Sequence, residues 1–260
     1  MAYALESPGK RLRPALVMAS YQALGGAGDV AELAAAVEVV HCYSLVHDDL
    51  PCMDNDDLRR GRPTTHRQFG AAPAAEAGFR MIPLAGRVLA AGAARLKLSR
   101  QTLSRMATEL FGAAGARGMI GGQMLDLEAE GHDLTLDQLT MMHRAKTGAL
   151  IAASGVIGAL AAGATGERLE GVRAYGEETG LAFQIADDLL DASASSAELG
   201  KTAGKDARQH KATFATALSP AAARAEAARR VARAVDQLRR ARIDSPLLVD
   251  LAHFVVDRRS

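Results

Sequence analysis

Apolar residues recur along this chain at three- and four-residue intervals. Leu33, Val37, Val40 and Ser44, flanked by Val39, Tyr43 and Val46, form one such stripe and predict a helix that ends at Pro51. Ser219-Pro220 and Ser245-Pro246 each set a capping hydroxyl before a first-turn proline, and so predict the starts of two more helices. The weakly polar run from Ala149 to Ala164 contains Ser154, Gly155, Gly158 and Gly163 and falls short of the ~20 apolar residues of a spanning helix, so a buried core helix is expected there. No stretch shows the period-two alternation of a half-buried strand, and the expected class is all-α. Breakers at Gly25-Gly26, Pro51, Gly61 to Pro63, Gly121-Gly122, Gly131, Gly163 to Gly166 and Ser193 to Ser196 divide the chain into about ten helices. No linker is rich enough to separate domains, which predicts a single domain over residues 1–260.

Composition narrows the function. The chain has 31 basic and 30 acidic groups, a formal charge of +1 and 48% hydrophobic residues, the balance of a globular protein with a substantial core. It carries no polybasic field for nucleic acid or anionic lipid. Cys42 and Cys52 have no His or Cys partner at zinc-ligand spacing, and no signal peptide is evident, so a reduced, cytoplasmic protein is expected.

Two acidic clusters hold the chemistry. Asp48-Asp49-Leu50-Pro51-Cys52-Met53-Asp54 lies at a predicted helix C-terminus, where the macrodipole disfavours carboxylates by ~0.3–1 kcal/mol each. Asp187-Asp188-Leu189-Leu190-Asp191 places Asp187 and Asp191 on one helical face, with Asp188 rotated off it. Like charges so placed call for a cation, and a donor set of oxygens without His or thiolate selects a hard ion such as Mg²⁺, which binds a few carboxylates together with substrate phosphates. An EF-hand is excluded because the sixth position counted from Asp54 is Arg59, not glycine. Gly9-Lys10-Arg11-Leu12-Arg13-Pro14, His41, Arg59-Arg60, Lys146-Thr147, Lys201, Lys205 and Lys211 add dispersed phosphate-type cations, so a diphosphate is the expected ligand.

In these motifs the chain resembles the trans-isoprenyl diphosphate synthases, the farnesyl and geranylgeranyl diphosphate synthase family. GKRLRP, DDLPCMDNDDLRRGRPT, GGQMLDLEAEG, RAKTGALI, GLAFQIADDLLD and LGKTAGKDARQHKATF occur in the family's order over nearly the whole length. The resemblance implies the isoprenoid synthase fold, a helical bundle around a central cavity, and a homodimer. It implies that Asp48, Asp49, Asp54, Asp187, Asp188 and Asp191 hold Mg²⁺, about three ions per active site. Arg59, Lys146, Lys201 and Lys211 would bind the allylic diphosphate, and Lys10, Arg13, His41 and Arg60 isopentenyl diphosphate. Lys146, Thr147, Gln184 and Lys201 would be catalytic, with the Thr147 and Gln184 oxygens facing an allylic carbocation. Lys205, Asp206 and Lys211 would fall in a lid-like stretch after the second acidic motif. Tyr43 and Ser44, one turn before Asp48, would set chain length, and a ring at 43 favours the C15 product, farnesyl diphosphate. A geranylgeranyl diphosphate synthase and a non-catalytic subunit of a prenyl synthase are the alternatives, and a terpene cyclase has little use for Lys10, Arg13 and Arg60.

The chain also departs from the family pattern. Where relatives carry an Asp after an Ala-Gly pair, this chain reads Ala77-Gly78-Phe79. Pro73 and Pro83 fall where continuous helix is expected, and an interior proline costs ~3 kcal/mol or more, so a broken or displaced helix is expected over residues 71–84. Relatives usually carry another helix before GKRLRP, which here begins after a short lead. Phe183, Tyr175 and Phe214 are expected in the core, and Arg258 and Arg259 at a solvated end.

Overall fold

The computed structural model describes residues 1–193 and 212–257. Its helices are α1 (Ala2–Leu5), α2 (Leu12–Ala23), α3 (Ala31–Asp48), α4 (Thr65–Phe69), α5 (Ala71–Arg95), α6 (Arg100–Ala114), α7 (Met119–Glu128), α8 (Leu136–His143), α9 (Ala149–Ala161), α10 (Gly166–Ser193), α11 (Phe214–Ala217), α12 (Pro220–Arg240) and α13 (Pro246–Asp257). A π-helical turn, Arg144–Gly148, joins α8 to α9. The only sheet among the described residues is a minimal hairpin of β1 (Leu58–Arg59) and β2 (Arg62–Pro63). The all-α expectation holds.

The core forms around α3 and α9. The stripe of α3 is buried at Leu33, Val37, Val40 and Ser44, and so are Ala36, Val39, Cys42, Tyr43 and Val46, which makes α3 a central helix. Every residue of α9 from Leu150 to Ala161 is buried, as its weakly polar composition predicts. Small residues allow the close packing: a methyl built on Gly158 would lie 2.2 Å from the Val17 carbonyl of α2, and one on Gly176 would lie 2.6 Å from the Ala152 Cα. A second cluster of Leu139, Met142, Leu181, Ile185, Phe214, Ala223 and Ala227 joins α8, α10, α11 and α12. Ser219 caps α12 by accepting the Ala222 N–H, and Ser245 accepts the Leu248 N–H at the start of α13. Among the described residues no helix is long and apolar enough to cross a membrane.

Two expectations are corrected. The helix over residues 71–84 is neither broken nor displaced: α5 runs unbroken from Ala71 to Arg95. Pro73 lies in its first turn, where no intrahelical partner is needed for the missing N–H. Pro83 lies on the outer face with Phe79, whose carbonyl it leaves unpaired; both are exposed, so that carbonyl can bond water, while Ala74, Gly78, Met81, Ala85 and Leu89 face the core. Gly121-Gly122 is likewise no break but lies inside α7. A methyl on Gly122 would sit 2.2 Å from the Lys146 backbone nitrogen, so these glycines bring α7 against the π turn.

Candidate active site

The first acidic motif is shaped by the end of α3 and the loop after it. Asp48 is the last residue of the helix and Asp49 its C-cap. The loop folds back so that the Asp54 N–H donates to the Asp48 carbonyl at 2.8 Å, which gathers the three carboxylates. Burial pushes Asp48 up to about 6, with Asp54 and Asp49 adding to the rise and Lys146 opposing it. Burial also raises Asp49, which is 3% exposed, against the pull of Arg59.

The hairpin sends two arginines different ways. Arg60 and Gly61 form its two-residue loop with φ of 54° and 74°, the positive values of a type I′ turn. Arg59 donates through Nε and Nη2 to Asp49 Oδ1, the first at 3.0 Å, and through Nη2 to Asp56 Oδ2 at 3.3 Å. Burial alone would lower the Arg59 pKa, but Asp49 and Asp56 overcome it and raise it.

Arg60 turns instead toward α2 and α3. Its Nη2 lies 3.4 Å from His41 Nε2, and Arg13 is buried in the same cluster. Among the described residues, Arg13 Nε and Arg60 Nη1 are buried with no hydrogen-bond partner. Burial lowers Arg13 to about 10, with Arg60 adding and Glu38 opposing. Burial, then Arg13 and Arg60, hold His41 well below 6.5. Like charges crowded together with unpaired donors form a site for a polyanion. The chain before α2 closes over it: a methyl on Gly9 would meet the Arg60 guanidinium at 2.5 Å. Lys10 is exposed beside it, and Arg11 is engaged with Glu38 and the Leu5 and Ser7 carbonyls.

The π turn and α10 supply the opposite wall. Lys146 Nζ donates to Asp126 Oδ2 of α7. Thr147 Oγ1 donates to Gln184 Oε1 at 2.7 Å, and Gln184 Nε2 donates to Asp188 Oδ1 at 2.8 Å. Asp187 and Asp191 are partly exposed on one face of α10. Asp188, expected among the ligating carboxylates, is turned inward and 6% exposed, and its Oδ2 accepts the Phe214 N–H at 2.7 Å. Lys201, Lys205, Asp206, Lys211, Arg258 and Arg259 lie outside the described residues.

Tyr43 is buried edge-on to His47, with ring centroids 4.9 Å apart, and Ser44 Oγ donates to the His41 carbonyl at 2.8 Å. His47 has its Nε2 3.1 Å from the Ala75 carbonyl of α5 and fills the space a side chain at Gly78 would need. Asp126, His47 and His143 were missed by sequence reasoning. Asp126 alone had a signal, its place in GGQMLDLEAEG.

Among the described residues no three His, Cys, Asp or Glu side chains form a ready metal cage. The donor set still fits a hard cation: burial, with Asp54 and Asp49 adding, raises Asp48, a cost that a bound cation would relieve, and carboxylate oxygens together with phosphate oxygens and water are the ligands Mg²⁺ takes.

The polyprenyl synthetase family model matches residues 1–245. A farnesyl diphosphate synthase of Escherichia coli (strain K12) is 44% identical over 268 aligned positions, covering 99% of this chain and 88% of that one. The large subunit 1 of a heterodimeric chloroplastic geranylgeranyl pyrophosphate synthase of Arabidopsis thaliana is also 44% identical, over 82% of this chain and 59% of that one. A crystal structure of a geranyltransferase from Helicobacter pylori, complexed with magnesium and isoprenyl diphosphate, superposes with a TM-score of 0.87 at 32% identity, covering 98% of this chain and 85% of that chain.

Proposed function

We propose, from the premise that this chain belongs to the polyprenyl synthetase family and is an isoprenyl diphosphate synthase, that it condenses isopentenyl diphosphate with a C5 or C10 allylic diphosphate and releases farnesyl diphosphate. The observation that carries this reading is the pairing of two unlike anion sites across the β1–β2 hairpin. Arg59 stands with Asp48 and Asp49, and Arg60 on the other side with Arg13 and His41, where the nearby carboxylate, Glu38, is paired with Arg11. One substrate would arrive with metal and the other would be held by cations of the chain itself.

Asp48, Asp49 and Asp54 on one wall and Asp187 and Asp191 on the other would hold Mg²⁺, with about three ions serving the site. When bound, the metal neutralises the charge that develops on the leaving diphosphate. Arg59 and Lys146 supply fixed positive charge to the same oxygens, which favours the transition state more than the ground state. The allylic C–O bond breaks with its electron pair going to the diphosphate, and the isopentenyl double bond attacks the resulting cation. Loss of a proton to the departed diphosphate restores a double bond. Thr147 and Gln184 present oxygens to the cation, while Arg13, His41, Arg60 and Lys10 hold the second diphosphate so that its alkene faces the reacting carbon. Apolar side chains of α3 and α5 keep water from the cation.

We further propose a homodimer located in the cytoplasm, with residues 1–260 acting as one synthase domain. Incubating the purified protein with labelled isopentenyl diphosphate, Mg²⁺ and each of the C5, C10 and C15 allylic diphosphates tests activity and product length together. C15 as the end product is expected. Growth to C20 would replace the farnesyl reading with the geranylgeranyl one, and no condensation with any primer would point to a non-catalytic subunit.

A further inference from the structure

Asp188 is the buried member of the second acidic motif, and its geometry sets it apart from Asp187 and Asp191. Its Oδ1 accepts from Gln184 Nε2 and its Oδ2 from the Phe214 backbone N–H, both at normal hydrogen-bond distances of 2.8 and 2.7 Å. The His143 ring stacks on Phe214 with centroids 5.5 Å apart, and its Nε2 stands 4.0 Å from Asp188 Oδ2. The carboxylate therefore lies in the packing between α8, α10 and α11.

These bonds have a direction. A carboxylate offers only lone pairs, so Gln184 must turn its NH₂ toward Asp188. Its Oε1 then faces Thr147, and two oxygens can share a hydrogen bond only if Thr147 donates its proton. With that proton committed inward, the part of the Thr147 hydroxyl left for other partners is its lone pairs.

We propose that Asp188 is a positioning residue that fixes the proton order of the Asp188–Gln184–Thr147 chain, so that Thr147 turns electron pairs rather than a proton toward the allylic cation. The inference rests on the reading above, in which Thr147 faces that cation. Asp188→Asn inverts the order. The substituted side chain keeps one oxygen for the Phe214 N–H and now donates through its amide to Gln184 Oε1. Gln184 rotates, its NH₂ donates to Thr147 Oγ1, and the released Thr147 proton points toward the cation. The change is isosteric and preserves the contact with α11, while the electrostatic sign at one atom reverses.

A double-mutant cycle reads this directly. In the otherwise wild-type enzyme Asp188→Asn lowers kcat roughly 10- to 100-fold, with both diphosphate KM values and the Mg²⁺ concentration for half-maximal rate changed less than about twofold. Thr147→Val alone also lowers kcat. In the Thr147→Val background the further effect of Asp188→Asn shrinks to less than about threefold, because the atom through which Asp188 acts is gone. Additive effects would overturn the relay and leave the synthase reading standing. A tenfold or larger rise in the Mg²⁺ requirement would make Asp188 a metal ligand and also overturn it. Undiminished turnover of Thr147→Val would overturn the placement of Thr147, and the relay with it. Should Asp188→Asn fail to fold, as judged by thermal melting, Thr147→Ser tests the same atom: it keeps the hydroxyl that donates to Gln184 Oε1 and must retain the turnover that Thr147→Val loses, whereas a loss as deep as that of Thr147→Val would overturn the relay.

Discussion

Single residues at this site act mainly by the company they keep. Arg60 stands beside Arg13 and His41 with one donor nitrogen unpaired, and burial lowers its pKa while Glu38 opposes, so it is a buried cation with a donor left for an anionic ligand. Arg60→Ala is expected to raise KM for isopentenyl diphosphate roughly 30-fold or more, as a charge-assisted contact is lost, while KM for the allylic substrate changes little. Steady-state titration of each substrate checks this, and equal changes in both constants would mean that Arg59 and Arg60 do not serve separate substrates. His41 is held neutral in the same buried cluster. Burial together with Arg13 and Arg60 holds it well below 6.5, so below about pH 6.5 the unfolded chain takes up a proton that the folded one refuses. Stability is therefore highest above that pH and falls as pH drops toward the folded value. The ligand-free melting temperature should fall between about pH 7.5 and 5.5, and less steeply in His41→Gln. The variant keeps some slope because His143, lowered to about 4 chiefly by burial, contributes in the same direction. Equal slopes in the two proteins would show that His41 is not held neutral.

At the scale of elements, the pairing of α3 with α5 decides both the shape of the hydrocarbon wall and how far the sequence misleads. His47 of α3 reaches into the space left by Gly78 and stacks edge-on against Tyr43, so the ring at 43 is held in place from the α5 side. Tyr43→Ala should open a path beside α3 and yield products longer than those of the wild type by one or more C5 units. An unchanged product distribution, resolved by chromatography, would move the length determinant to other α5-facing residues. Pro83 is the counterpart on the outer face of the same helix. Pro83→Ala restores an N–H for the Phe79 carbonyl at an exposed position, and should stabilise the protein by roughly 1–2 kcal/mol in denaturant unfolding without altering kcat. Loss of stability would show that the proline ring packs against something that matters. The π turn makes a further point at this scale: its widened register brings Lys146 toward Asp126 and Thr147 toward Gln184, and no residue pattern in Arg144–Gly148 announces it.

For the whole molecule, function requires α3 and α10 to present their carboxylates to one ligand, although about half of the chain lies between the two motifs. Binding should therefore stabilise the fold: Mg²⁺ with inorganic diphosphate at about 100 times its Kd adds about 2.7 kcal/mol, visible as a raised melting temperature. Asp187→Ala should erase the Mg²⁺-dependent part of that rise, cut kcat by orders of magnitude and leave the ligand-free melting temperature unchanged or slightly higher. A full Mg²⁺-dependent rise in the variant would remove Asp187 from the metal site. The sequence alone determined the features carried by local spacing. The helical class follows from apolar residues at three- and four-residue intervals, the buried α9 from its composition, the caps of α12 and α13 from Ser-Pro pairs, and the outward pairing of Asp187 with Asp191 from the helical repeat. Only the tertiary structure decided which way Asp188 faces, that Arg59 and Arg60 part company across a tight turn, that Asp126 holds Lys146, and that Pro83 and Gly122 sit in unbroken helices. Each of these depends on which face of an element meets a neighbour, or meets water. That is fixed by contacts between residues far apart in the chain, and a one-dimensional pattern of residue types does not contain it.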